Sequence, residues 1–219
     1  VAFVVSGLLR YVSFAALDFG EEKIIDKFLS FQTLAPATAF SSGIFDESPS
    51  SEMQVLTFEG PDTEDNLPFA SKEKSLISEA LLGSRFRVSS STSKEEFVSA
   101  LEDKRALIHY AGHFELNDRD SLASVIRFET DEMSLYELFS FPINATLVAF
   151  SACQSRVGAK SISPSDKPTG REMFSMTESI LMGGARSVLS SISRVDDVAS
   201  AVLMKRFYRE LREHPPAVA

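Results

Sequence analysis

Short apolar runs alternate with amphipathic stretches through most of the chain. Residues 53–58, 86–89, 106–110, 146–150 and 186–192 are apolar or β-branched runs too short for helices, and each predicts a strand. Between them, residues 69–82 and 169–182 carry apolar side chains at helical spacing, and glycines close both stretches at Gly83 and Gly183-Gly184. Ser93-Lys94-Glu95-Glu96 reads as a capping box opening a helix to about Asp103. Residues 134–139 predict a shorter helix, and Asp196 opens a last one that runs to about Arg212. Strands alternating with helices predict βαβ units, hence an α/β fold on a mainly parallel sheet.

The remaining segments are less regular. Residues 2–16 alternate loosely and predict a strand or a hairpin turning at Gly7, and residues 21–31 have helical spacing with acids in the first turn. Residues 33–51 are rich in Ser, Ala and Pro, which predicts a linker or mobile loop. Gly60-Pro61-Asp62 predicts a turn, and a polar loop after residue 110 leads to a candidate strand at 124–128. Residues 154–168 form a polar loop of a length associated with lids. The expected organisation is an N-terminal strand, helix and Ser/Pro-rich linker over 1–52, open to being part of the same domain, followed by the α/β domain over 53–219. The chain starts without Met and stops at Pro215-Pro216-Ala217-Val218-Ala219 just after a helical pattern, so it reads as a C-terminally truncated piece of something longer.

Composition narrows the function classes. With 44% hydrophobic and 24% charged residues, the 219-residue chain has the balance of an ordinary globular protein. A net charge of −9 argues against nucleic acid as a direct partner and fits poorly with an anionic membrane surface. No uncharged apolar stretch is long enough to span a bilayer, and a single cysteine demands no oxidising compartment, so the expected location is cytoplasmic. Asn144-Ala145-Thr146 matches a glycosylation acceptor and is read as a chance match in that setting.

Candidate chemistry gathers at two strand ends. Ala106-Leu107-Ile108-His109-Tyr110-Ala111-Gly112-His113 and Ala145-Thr146-Leu147-Val148-Ala149-Phe150-Ser151-Ala152-Cys153 each read as a buried strand followed by a small-residue turn. If those strands are parallel neighbours, an imidazole and the chain's one thiol emerge together at their carboxyl ends, where open α/β sheets place their sites. A lone cysteine after a strand is more often a small buried hydrophobe, so the context must carry the claim. His109 precedes His113 by four residues, but an extended strand does not converge them and no third ligand is evident. His109 is therefore read as a packed strand residue, with no metal and no cofactor expected. Glu115, Asp118 and Asp120 are read as solvated loop acids. Asp196 and Asp197 are open between opening a helix and meeting a substrate.

The ordered motifs from residue 55 onward resemble the CHAT domain, a caspase-like cysteine peptidase family often fused to tetratricopeptide repeats. The resemblance rests on Asn66-Leu67-Pro68-Phe69-Ala70 with Glu73, on Ile108 to His113, and on Leu147 to Ser155. It continues through Gly184-Ala185-Arg186-Ser187-Val188-Leu189-Ser190-Ser191, Val195-Asp196-Asp197, and Phe207-Tyr208 with Leu211. It implies a caspase-like three-layer α/β/α sandwich and a cysteine endopeptidase with His113 as base and Cys153 as nucleophile. The backbone amides of Cys153 and Phe114 would hold the oxyanion, and Asp196 and Asp197 would bind a basic residue at the cut. The expected partners are a protein or peptide substrate and a regulatory helical-repeat domain or partner protein. Two positions depart from the family pattern: Phe114 stands where relatives carry Gly, and Ser193 where many carry Trp. Phe reaches glycine's backbone angles only with strain, and its ring could crowd the cleft. The alternative expectation is accordingly a weakly active or inactive caspase-like scaffold for protein interactions.

Overall fold

The computed structural model describes residues 2–4, 17–24, 32–34, 53–60, 70–115, 117, 120–151, 154–155, 171–190 and 196–214. Its N-terminal segments are four short strands, β1 (Ala2–Val4), β2 (Asp18–Phe19), β3 (Glu22–Lys23) and β4 (Gln32–Leu34). β1 pairs in parallel with β4, and β2 antiparallel with β3. Glu22 and Lys23 are thus extended rather than the first turn of the helix expected over 21–31, whereas Ile24 is helical and residues 25–31 lie outside the described residues. Gly20, at φ 74°, supplies the left-handed residue that a two-residue hairpin turn needs, and Lys23 closes the hairpin on Asp18. Thr33 and Leu34 belong to β4 instead of the expected linker. Gly7 and residues 35–52 lie outside the described residues.

From residue 53 the elements follow the sequence pattern closely. They are β5 (Met53–Glu59), α1 (Ala70–Ala80), β6 (Phe86–Ser91), α2 (Lys94–Glu102), β7 (Ala106–Ala111), β8 (His113–Glu115), β9 (Val125–Arg127), β10 (Glu132–Ser134) and α3 (Leu135–Leu138). β11 (Leu147–Phe150), β12 (Gln154–Ser155), α4 (Arg171–Gly183), β13 (Val188–Ser190) and α5 (Asp197–Glu210) complete the chain. Five strands form a wholly parallel sheet in the order β13-β11-β7-β5-β6.

Side-chain alternation along the central strands builds three layers. Ile108, Tyr110, Val148 and Phe150 pack with Phe97 and Leu101 of α2, Leu135 and Leu138 of α3, and Met176 and Ile180 of α4. Leu107 and Leu147, one residue out of phase, pack with Ile77 of α1 and Leu81 just after it, and with Phe207 and Tyr208 of α5 and Leu211 at its C-cap. β7 and β11 are buried at every position, as strands covered on both faces must be.

A second sheet, β10-β9-β8-β12, leans on the first, and of its strands the sequence pattern predicts only β9, within the candidate strand over 124–128. Residues 113–115 fall in the expected polar loop, residues 132–133 in no expected element, Ser134 at the start of the expected helix and residues 154–155 at the start of the long loop, yet all are strands. Three-residue strands carry too little alternation to read, and pairing decides them. Glu115, expected to be solvated, takes a two-pronged ion pair from Arg127 on β9, both contacts at 2.7 Å, while remaining partly exposed. Residues 156–170 of the long polar loop, residues 61–69 and residues 191–195 with Ser193 lie outside the described residues.

Candidate functional site

β7 and β11 are parallel neighbours, with Ala149 opposite His109 and Phe150 opposite Tyr110. The ladder continues one residue further through the Ser151 amide, which donates to the Tyr110 carbonyl at 3.1 Å. Both strands then leave the main sheet together. β8 and β12 pair in parallel in the second sheet, with Gln154 opposite His113 and Ser155 opposite Phe114. Two residues separate Tyr110 from His113, and three separate Phe150 from Gln154, so the Cys153 strand spends one extra residue on the same step. Cys153 and Ala152 themselves lie outside the described residues, between Ser151 and Gln154.

Gly112 makes the departure of β7 possible. A Cβ there would sit 2.5 Å from the Tyr110 hydroxyl and 2.7 Å from the Gly60 nitrogen, closer than real Cβ contacts come. Gly60 in turn donates its amide to the Ala111 carbonyl at 3.1 Å, which ties the end of β5 against the bend. Tyr110 reaches across to donate to the Arg127 carbonyl, linking the two sheets.

Phe114 is the middle residue of β8, with β9 on one side and β12 on the other. Its side chain is buried in the core with Phe128 and Ile126, so the ring does not crowd a cleft as its bulk suggested from sequence. Its extended, strand-paired backbone is one that any residue adopts, and the strain expected of Phe in place of Gly is not needed there.

Asp196 and Asp197 open α5. Asp196 is the N-cap, its carboxylate accepting the Ala199 amide at 3.0 Å, and it remains exposed, while Asp197 is half-buried in the first turn. One turn along, the Ser200 hydroxyl donates to the Ser151 carbonyl at 2.7 Å, so the helix carrying both acids is bonded to the strand that leads to Cys153. Capping is therefore observed for Asp196.

Beneath these strand ends lies a buried polar group that the sequence reading left without a role. Glu73 of α1, 1% exposed, accepts from His109 Nε2 at 2.7 Å and from the Ser151 hydroxyl. The other ring nitrogen of His109, Nδ1, lies 3.3 Å from the Tyr208 hydroxyl of α5, and the two rings meet edge to face. Burial, and secondarily the Glu73 charge, push the Tyr208 hydroxyl well above the usual phenol range. The imidazole bridges the two helices, Nδ1 facing the Tyr208 hydroxyl and Nε2 facing the Glu73 carboxylate. His109 is thus the packed strand residue expected, held by two helices. One signal could have exposed Glu73: it occupies a position in the apolar stripe it shares with Ile77, Ala80 and Leu81.

The arrangement defines a mixed α/β protein of caspase-like architecture, built on a five-stranded parallel central sheet with helices on both faces. The CHAT domain family model matches residues 1–219, running through the N-terminal segment as well as the α/β part, and the chain belongs to that family. The family is related to the caspase-like peptidases. No curated protein matches the chain. No helix among the described residues is long and apolar enough to cross a membrane.

Proposed function

We propose that the protein is a cysteine endopeptidase in which Cys153 attacks the scissile carbonyl and His113 acts as its base. The observation that carries this reading is the joint departure of β7 and β11 from the main sheet, with His113 opposite the residue that follows Cys153. Neighbouring strands run about 4.8 Å apart, a spacing compatible with a thiol and an imidazole meeting across them. A free thiol is mostly protonated at neutral pH, and a nearby imidazole raises the thiolate fraction. The thiolate adds to the carbonyl, His113 protonates the leaving amine, and water then releases the acyl-enzyme and restores the thiol. The amides of Cys153 and Phe114 are the proposed oxyanion donors. Asp196 and Asp197, on the helix bonded to Ser151, are the proposed selectors of a basic residue before the cut. A regulatory helical-repeat domain or partner protein is proposed to control access, and the chemistry calls for no cofactor.

A caspase-like scaffold without activity has one observation in its favour. Phe114 has a strand on each side, so its amide is directed along a ladder rather than toward open space. Peptidyl electrophiles with Arg, Lys, Asp or Leu next to the warhead separate the readings. The peptidase reading expects labelling of the native chain by the Arg and Lys probes and its loss in Cys153→Ala. Equal labelling by all four probes would overturn the basic specificity. Labelling by none would leave the scaffold.

A further inference from the structure

We infer that Ser151, held by Glu73 and Ser200, is a positioning residue that fixes the strand end from which the Cys153 segment departs. The inference rests on the peptidase reading for its consequence but on separate geometry for its basis. Ser151 is 3% exposed, and each of its three polar groups is bonded to a different element. Its amide donates to the Tyr110 carbonyl of β7 at 3.1 Å, its hydroxyl donates to the Glu73 carboxylate of α1, and its carbonyl accepts the Ser200 hydroxyl of α5 at 2.7 Å. A serine on a strand that needed only packing would carry an apolar side chain, as Leu147 and Ala149 do on the same face.

Glu73 is the anchor of this arrangement. Its Oε2 receives both His109 and Ser151, and so couples the two strands that lead to His113 and Cys153 through a single atom. Ser200 brings in α5, whose N-cap and first turn carry Asp196 and Asp197. Nucleophile strand, base strand and specificity helix are thereby locked to one buried carboxylate. Misplacing a reacting group by about 1 Å can cost 10²-fold in rate, so a tether of this kind bears on rate rather than on substrate affinity.

The test compares Ser151→Ala, Glu73→Gln and Ser200→Ala with Leu138→Ala, a core truncation in α3 that touches none of these groups. Two rates are read for each folded variant. One is the maximal rate and half-saturating concentration of labelling by a peptidyl acyloxymethyl ketone with Arg next to the warhead; the other is the alkylation of Cys153 by iodoacetamide across pH. The tether expects the maximal labelling rate to fall about 10-fold or more in Ser151→Ala and Glu73→Gln, with half-saturation little changed. Leu138→Ala should lower the melting temperature and leave the labelling rate alone. If Ser151→Ala and Glu73→Gln label at the native rate, or lose rate only as Leu138→Ala does, the tether is overturned. If the native chain reacts with iodoacetamide but with no peptidyl probe, the peptidase reading fails instead. The iodoacetamide profiles then still decide the tether, since identical profiles in all four variants overturn it.

Discussion

At Gly112 the requirement is for space. The bend that sends His113 into the second sheet brings the Gly60 amide and the Tyr110 hydroxyl to within 3 Å of where a Cβ would stand. Gly112→Ala must push backbone as well as a ring, so we expect a loss of about 1–3 kcal/mol, the usual cost of overpacking. Urea unfolding would read it, and a neutral effect would mean the bend is softer than the contacts imply. Asp196 and Asp197 allow a cleaner separation of structure from recognition. Asn is as good an N-cap as Asp, so Asp196→Asn keeps the bond to Ala199 while removing the charge. If these acids select a basic residue, the Asn variants lose about 10-fold or more in kcat/KM for Arg substrates, at nearly native stability. An unchanged Arg preference at nearly native stability would assign the acids to helix capping alone.

Among the elements, two helix starts show how local chemistry and pairing divide the work. Ser93 accepts the Glu96 amide at 3.3 Å, but its own amide goes to the Ser91 hydroxyl, so the reciprocal half of the expected box is made by another residue. The complete box forms at α3 instead, where Ser134 and Glu137 bond each other's backbone amides. Lys94 of α2 donates to that same Glu137 at 2.8 Å. The hydrogen bond from Lys94 holds the Glu137 carboxyl below the usual range, against a smaller opposing effect of burial. A depressed carboxyl stabilises the fold above its unfolded value, and that stabilisation is lost as the pH falls through the folded value. Gln preserves the box geometry without the charge. Glu137→Gln should therefore cost up to about 1 kcal/mol at neutral pH, a modest amount because the group is part-exposed. The gap should close on acidification through the glutamate range. A gap independent of pH would mean the charge contributes nothing.

The long central strands and the helices between them were legible because each carries several turns or alternations of pattern. The second sheet was not, because β8, β10 and β12 have two or three residues each and exist through their partners. That is also why His113, read as following a turn, heads a strand. Glu73 was hidden for a different reason. Lys72, Lys74 and Glu79 give α1 the look of a solvated helix, and only the stripe position of Glu73 betrays that it faces inward. The parallel pairing of β7 and β11 was legible, while the buried carboxylate behind these strands needed α1, β7, β11 and α5 in one place.

Over the whole molecule, the central sheet separates two apolar cores, and among the described residues one of them holds a buried carboxylate, Glu73. The helices α1 and α5 close that side, and Tyr208 is the point where α5 reaches through to His109 and, beyond it, Glu73. Because burial and the Glu73 charge raise the Tyr208 hydroxyl above its ordinary value, the folded chain keeps that proton where the unfolded chain releases it near pH 10. Above that pH the unfolded state binds fewer protons than the native one, so stability falls as pH rises, at a slope of up to about 1.4 kcal/mol per pH unit. Tyr208→Phe removes the titrating group but leaves the buried His109 Nδ1 without its hydrogen-bond partner, a cost of about 1–3 kcal/mol at neutral pH. The variant should thus start below the native protein and lose ground more slowly in alkali, and the two curves should converge above pH 10. Guanidinium midpoints across the alkaline range would show it. A constant difference would mean that Tyr208 is not sealed from solvent, and that α5 is held to the sheet by its apolar stripe without the polar link to the strands of the site.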